Sequence, residues 1–401
     1  MGTAVKSSAA EKPTLETGGT TKRAFSYEIH GVRGLALTMV VAFHLFGQGR
    51  VSGGVDVFLV ISAYLMTSSL IRSMRARRLS LVYRYGRTLS RLLPAALTTI
   101  VATMLVGLWA LPRSKWLGLF AEGRAAALFQ ENVYLATEGL SYGAAGDGAS
   151  PFQHFWSLSV QGQFLLLWPL LALTLMFVLK KLRPDRQVSV FALLTLAITV
   201  WSFTEAMDMV AISQPVAYYS LASRMWEFGL GALAAFGARF AARFPNIGGA
   251  AGWMGIALIA SSGFVVDGAS TFPGPWALWP VGGALLVLFA ADSGDAAHFG
   301  LTRALSAKPI VWLADRGYPL YLWHWPILVF YLARSGQGQV TFTSALGILA
   351  VSLAISELTS RLISTPSTKL ANRLQETKKG AATLLVMVAM AAMTVAGAAH
   401  V

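Results

Sequence analysis

The sequence predicts an all-α fold, a polytopic transmembrane bundle of about 10–11 helices, and three observations carry that reading. Mean hydropathy is +0.58, with 55% apolar and only 12% charged residues, a composition that sets soluble globular folds aside. The apolar residues gather into runs long enough to span a bilayer. The basic residues collect in alternate connections between those runs.

In chain order the apolar runs fall near 31–47, 55–70, 94–111, 159–179, 188–204, 226–238, 249–265, 276–291, 309–332, 342–363 and 381–400. The sixth is short for a full span, and 117–136 reads as a further interfacial helix. Residues 72–91 hold Arg72, Arg75, Arg77, Arg78, Arg84, Arg87 and Arg91; 180–187 hold Lys180, Lys181, Arg183 and Arg186; 366–380 hold Lys369, Arg373, Lys378 and Lys379. The positive-inside rule makes all three stretches cytoplasmic loops, with the N-terminus and its Lys22 and Arg23 inside and the C-terminus outside. The net charge of +14 is then a topology signal rather than a nucleic-acid footprint. Residues 1–25 lack the apolar core of a signal peptide and read as a disordered cytoplasmic tail. Residues 367–380 read as a basic cytoplasmic loop, and 381–401 as a last transmembrane helix expected to lead into a further extracytoplasmic domain. With no cysteine in the chain, disulfides, thiolate metal sites and cysteine nucleophiles are excluded.

Within the first apolar run stand Arg33 and His44. Eleven residues at 100° each complete three turns plus about 20°, so the two share a helix face about 16 Å apart. An ionisable group near the bilayer centre costs about 2.5–3.5 kcal/mol on insertion scales, so it normally faces a bundle interior. Each residue alone has a plain reading, Arg33 as a snorkelling anchor and His44 as a packed polar group. Their shared face favours a functional pair.

The blocks that follow extend the pattern. Gly53-Gly54-Val55-Asp56-Val57-Phe58-Leu59-Val60-Ile61-Ser62 opens the second helix, and Arg87 with Arg91-Leu92-Leu93-Pro94 precedes the third. His154-Phe155-Trp156-Ser157-Leu158-Ser159-Val160 runs into Gln163-Phe164 and Trp168-Pro169. Arg224-Met225-Trp226-Glu227 and Tyr318-Pro319-Leu320-Tyr321-Leu322-Trp323-His324-Trp325-Pro326 complete the set. In this order the blocks resemble acyltransferase family 3, and the resemblance runs from about 27 to 366, making 26–366 the acyltransferase transmembrane domain. The chain departs from the family's pattern at His30, Ala63, Gln161, Gly162 and Ser364; His30, Gln161, Gly162 and Ser364 stand where the family commonly has carboxylates.

The resemblance implies an integral membrane enzyme that takes an acyl group, often acetyl, from cytoplasmic acyl-CoA to a hydroxyl of an envelope carbohydrate or glycolipid. No tightly bound cofactor and no metal site are implied. Arg33, with Arg87 and Arg91, is expected to contact the donor's phosphates. His44 is expected to act as general base where the thioester arrives. His324 either contacts acceptor, braces His44 or is simply packed, with Trp323 beside it. Glu227, near Arg224, either forms a structural ion pair or orients a group in the site. Asp56 either stabilises the start of its helix or makes a functional contact. His154 and Trp156 either line an outer carbohydrate cleft or belong to an interfacial aromatic belt. These side chains are expected to share one interior.

The absence of Gly-x-Ser-x-Gly, His-Glu-x-x-His and phosphate-loop motifs narrows the alternatives. Gly229-Leu230-Gly231-Ala232-Leu233-Ala234 matches a dinucleotide fingerprint superficially, but it lies in an apolar helix and reads as close helix packing. A transporter or flippase of a lipid-linked sugar is the rival reading, since buried Arg, His and Glu also serve carriers. The motif blocks show no internal repeat, which favours the enzyme. A non-catalytic scaffold would account for the missing carboxylates but not for the spacing of Arg33 and His44.

Overall fold

The computed structural model describes residues 27–47, 50–138, 149–294, 300–374 and 378–398; the tail expected over 1–25 lies outside them. Among these residues the fold is all helix, without strands, and eleven long helices follow the eleven apolar runs. They are α1 Tyr27–Phe46, α2 Gly54–Arg75, α3 Leu81–Ala110, α4 Phe155–Val178, α5 Pro184–Tyr219, α6 Leu221–Ala241, α7 Gly248–Val265, α8 Leu278–Ser293, α9 Lys308–Ser335, α10 Phe342–Thr359 and α11 Lys378–Ala398. Eight helices among the described residues are long and apolar enough to cross a membrane. The chain is a multi-pass membrane protein. Outside that eight stand α6 and α9, whose Arg224, Glu227, His324, prolines and aromatics dilute the apolar character, and α11, where the apolar stretch Ala382–Gly397 is short.

Three helices differ most from expectation, among them α5, which runs on to Tyr219 where the apolar run ends near 204. Helix α3 starts at Leu81, not near 94, so Arg84, Arg87 and Arg91 lie on a helix rather than in a loop. Pro94 resembles a helix start but sits inside α3. An interior proline removes one hydrogen bond, a loss that packed membrane helices absorb. Helix α6 is 21 residues long, ample for a span, because the helix continues beyond the apolar run at both ends, from Leu221 to Ala241. The 117–136 stretch forms two short helices, Trp116–Ala127 and Glu131–Thr137, broken where Phe129 takes a positive φ of 57°. Near its end α5 bends at Ser213 (φ −157°, ψ 96°), two residues before Pro215.

Helix directions follow from which residues meet. On α1 and α9, Gly34 approaches Ala314 and His44 bonds His324, so both positions advance together and the two helices run parallel. On α2 and α6, Asp56 meets Arg224 and Val60 meets Gly231, again a parallel pair. On α7 and α8, Gly252 meets Ala290 while Gly255 meets Gly283, so these neighbours in sequence are antiparallel. Odd with odd and even with even run the same way, as a chain that crosses a membrane at every helix requires. The broadest interfaces are α7 with α8, α5 with α6, α2 with α6, and α1 with α9.

The α2–α6 crossing depends on glycine. A Cβ on Gly231 would stand 2.1 Å from the carbonyl oxygen of Val60, which is backbone and has nowhere to move. The Gly-x-Gly pair at 229 and 231 is therefore a packing device, as expected. Gly231→Ala should destabilise the protein by about 1–3 kcal/mol, seen as a lower thermal midpoint in detergent. Gly282→Ala, at a site with open space around it, is the control and should leave the midpoint unmoved.

Candidate active site

The residues singled out from the sequence assemble into two packed clusters linked through residues 154–156, with Arg33 at a third position. The first cluster is histidine. His44, in the last turn of α1, places Nδ1 2.8 Å from Nε2 of His324 on α9, and the two rings stack with centroids 5.1 Å apart. The other ring nitrogen of His324, Nδ1, lies 3.1 Å from the carbonyl oxygen of Leu320. A carbonyl only accepts, so Nδ1 of His324 carries the proton and its Nε2 is the acceptor. It follows that His44 donates from Nδ1, and the lone pair of its neutral ring sits on Nε2.

This cluster is walled by aromatic groups. The Trp325 ring meets His44 edge-on at 4.8 Å, and its Nε1 donates to the Ser150 carbonyl at 2.8 Å. His154, fully buried just before α4, donates from Nε2 to the Leu322 carbonyl at 3.1 Å, which leaves Nδ1 buried without a hydrogen-bond partner. Tyr321 donates to the His154 carbonyl at 2.6 Å and accepts from Ser157 at 2.7 Å. Of the proposed supports, Trp323 points elsewhere, donating to Thr359 on α10 at 2.9 Å. One residue is 100° of rotation on a helix, so Trp323 and His324 cannot share a face.

The second cluster is an ion triad. Arg224 on α6 donates from Nη1 to Asp56 of α2 at 2.7 Å and to Glu227, one turn on, at 2.8 Å. Its Nε donates to the Tyr218 carbonyl at 3.1 Å. The guanidinium lies 4.6 Å from the Tyr218 ring centroid and 5.2 Å from that of Trp156. All of these side chains are buried. Trp156 is thus neither an interfacial belt residue nor the wall of an open cleft: it covers a buried cation. Asp56 also lies in the first turn of α2, where a carboxylate is favourable. Its partner in structure is nevertheless Arg224.

Arg33 forms the third position. Its guanidinium lies 5.4 Å from the Phe58 ring centroid, and its Nε is buried without a hydrogen-bond partner. Arg91 is near enough to repel it, and Arg87 is within the same range of Arg91 and Arg84. Arg84 is held on α2 by Ser69 at 3.2 Å and Ser73 at 2.8 Å. Among the described residues no carboxylate pairs with Arg33, Arg87 or Arg91. Cations gathered without counter-charge suit an anionic substrate.

Sequence reasoning missed a buried acid pair. Glu122 and Glu131 stand on the two short helices between α3 and α4, both buried, and both carboxyl oxygens of Glu131 lack a hydrogen-bond partner. Ser150 donates to Glu122, and its carbonyl is the one that Trp325 holds, so the acids brace the wall of the histidine cluster. Acidic residues in a segment read as interfacial are expected to face water. Only the fold over Phe129 turns both inward.

Comparison with known proteins shows the family. The family model of acyltransferase family 3, described as an acyltransferase domain, matches residues 26–361. The chain belongs to that family. Among curated relatives, the O-acetyltransferase OatA of Staphylococcus aureus is 27% identical over 359 residues, 85% of this chain and 57% of the relative. The peptidoglycan O-acetyltransferase OatA of Listeria monocytogenes is 27% identical over 360 residues, 86% and 56% respectively. The putative membrane-bound transacylase BcsY of Komagataeibacter xylinus is 28% identical over 382 residues, 93% and 92% respectively. The chain spans little more than half the length of the OatA proteins. No solved structure gives a significant match.

The triad predicts an asymmetric mutational response. Arg224→Met should destabilise by about 3–5 kcal/mol, because two buried carboxyls lose their cation. Adding Asp56→Asn and Glu227→Gln should recover most of that loss in thermal unfolding. The acid pair sets a pH response. Burial pushes the Glu122 carboxyl from an ordinary 4.5 up to about 7, and burial with the Glu122 charge beside it raises Glu131 well above the usual range. The folded protein then holds protons that the unfolded chain has released, so this stabilisation is present at acid pH and lost as pH rises through about 7. The thermal midpoint should fall between about pH 5 and about pH 8, and fall less in Glu131→Gln.

Proposed function

We propose that this protein transfers an acyl group, most simply acetyl, from cytoplasmic acyl-CoA to a hydroxyl of a cell-envelope glycan or glycolipid, with His44 as general base. The observation that carries the reading is the proton order Leu320 carbonyl, His324, His44, which puts the basic lone pair on Nε2 of His44. In the reaction Nε2 takes the proton of the acceptor hydroxyl while its oxygen bonds to the thioester carbonyl carbon. Collapse of the tetrahedral intermediate breaks the C–S bond, and the imidazolium returns the proton to the departing thiolate. His324 stabilises that imidazolium by accepting from Nδ1 throughout, and its own proton is anchored on a carbonyl.

Arg33 supports the donor half of the reading. It lies one face and about 16 Å of helical rise from His44, with a buried guanidinium nitrogen that lacks a protein partner. A CoA phosphate supplies the charge-assisted acceptor it lacks, with Arg87 and Arg91 adding to the field. The basic ends of α2 and α3 support a cytoplasmic location for those ends by the positive-inside rule, and with it an N-terminus inside and, after eleven helices, a C-terminus outside. The relatives' printed activities on O-acetyl groups and peptidoglycan support the same reaction class and an envelope polymer as acceptor.

His44→Ala should lower acyl transfer by about 10²–10⁴-fold with the thermal midpoint kept. His324→Gln, whose amide oxygen accepts from Nδ1 of His44, should retain more activity than His324→Leu, which cannot; equal loss in both would remove the bracing role. Arg33→Ala should weaken CoA binding measured in detergent, and an unchanged affinity would move the donor site elsewhere. Mass spectrometry of envelope glycans with and without the gene identifies the acceptor.

A further inference from the structure

A second cationic site lies on the other side of α2. A cavity of about 190 Å³ opens between the ends of α2, α5 and α6, floored by Ile71, Val188 and Phe236 and rimmed by Arg72, Arg75 and Arg239. On α2 its residues Ser68, Ile71, Arg72 and Arg75 recur at 0, 3, 4 and 7, which is a single helix stripe. Ser69 and Ser73, which hold Arg84 toward α3, belong to the adjoining stripe. The cavity and the Arg33 region therefore occupy different faces of the same helix.

From these features we infer that this cavity binds the headgroup of an anionic phospholipid. Three guanidiniums face one carboxylate: Arg75 bonds Asp185 at 3.2 Å, while Arg72 and Arg239 have no ion pair among the described residues. The rim carries an excess of two positive charges over an apolar floor. Arg72, Arg75 and Arg239 occupy the last turns of α2 and α6. The helix dipoles favour cations there, but the dipoles alone give no reason for three of them to converge on one hollow. Beside Arg239, Phe240 is 58% exposed on the outer surface of the bundle, a position suited to contact with an acyl chain.

Size argues for a lipid headgroup over a coenzyme. Pockets for drug-sized ligands run from about 300 to about 1,000 Å³. This one holds a phosphoglycerol, whose fatty chains remain in the bilayer. The site sits at the basic, inner ends of the helices, where a leaflet rich in anionic lipid supplies the occupant. It is independent of the acyl-transfer reading, since none of its residues belongs to the histidine cluster or the Arg33 position.

Native mass spectrometry of the full chain in detergent tests this, with phosphatidylglycerol or phosphatidylcholine added in equal amounts. Phosphatidylglycerol should be retained preferentially. Arg239→Gln should reduce that retention by about fivefold and Arg72→Gln with Arg239→Gln by about thirtyfold, at roughly 1 kcal/mol per guanidinium. Phosphatidylcholine retention should not change. Arg239→Lys, which keeps the charge at an exposed position, should retain most of the lipid and guards against misfolding as the cause. Equal retention of both lipids, unchanged retention in the double variant, or displacement of phosphatidylglycerol by CoA or by inorganic phosphate would each overturn the assignment.

Discussion

Between the helices of a membrane bundle no bulk water is at hand to solvate a polar side chain, so every buried donor and charge has to find its partner in the protein. Arg224 meets that requirement more completely than any other cation described here. Its guanidinium takes Asp56, Glu227 and a backbone carbonyl in its plane, and Tyr218 and Trp156 against its faces. That one cation ties α2 to α6 and fixes Trp156. Trp156 in turn begins α4 two residues after His154. The position of the histidine cluster thus rests in part on a buried ion triad.

Within that frame a carbonyl sets the proton order of an imidazole two residues removed from it in the hydrogen-bond chain. Leu320 is four residues before His324 on α9, one turn back, and the imidazole folds back onto its carbonyl oxygen. The bond orders the protons on His324 and, through it, on His44. No carboxylate is needed on Nδ1 of His44 for this. That offers a physical account of why the chain tolerates Gln161, Gly162 and Ser364 where the family commonly has acids. Gln161 bonds Ser62 at 2.8 Å. Gly162 admits the ring of Phe129, which would stand 2.5 Å from a Cβ there. Phe129 in turn holds the backbone break that turns Glu122 and Glu131 inward. Two acids are missing from α4, at Gln161 and Gly162, and two stand on the segment packed against it. Nothing in the structure explains Ser364, whose hydroxyl is buried without a hydrogen-bond partner in the π-helical turn that follows α10.

The arginines divide by what surrounds them. Arg224 has two carboxylates beside it, although its Nη2 is buried without a hydrogen-bond partner. Arg316 is paired with Glu357, which also holds Arg361. Arg33, Arg87 and Arg91 on one side of α2, and Arg72 and Arg239 on the other, have no carboxylate beside them. Residue type alone does not separate these groups, since all are arginines near helix ends; the count of partners does.

The hydropathy pattern by itself determined the helix number, their order and the bundle class, because bilayer thickness imposes one length on every span. Helical periodicity also determined that Arg33 and His44 share a face, since three turns of one helix need no tertiary information. What only the tertiary structure decided is which helix each polar residue meets. Asp56 with Arg224 and His44 with His324 are separated by 168 and 280 positions, and no local rule pairs them. The inward turn of Glu122 and Glu131, the outward aim of Trp323 and the burial of Trp156 were equally hidden. A side chain's direction within a bundle is set by the neighbours that helix packing brings to it, and the periodicity of a single helix specifies the face but not its partner.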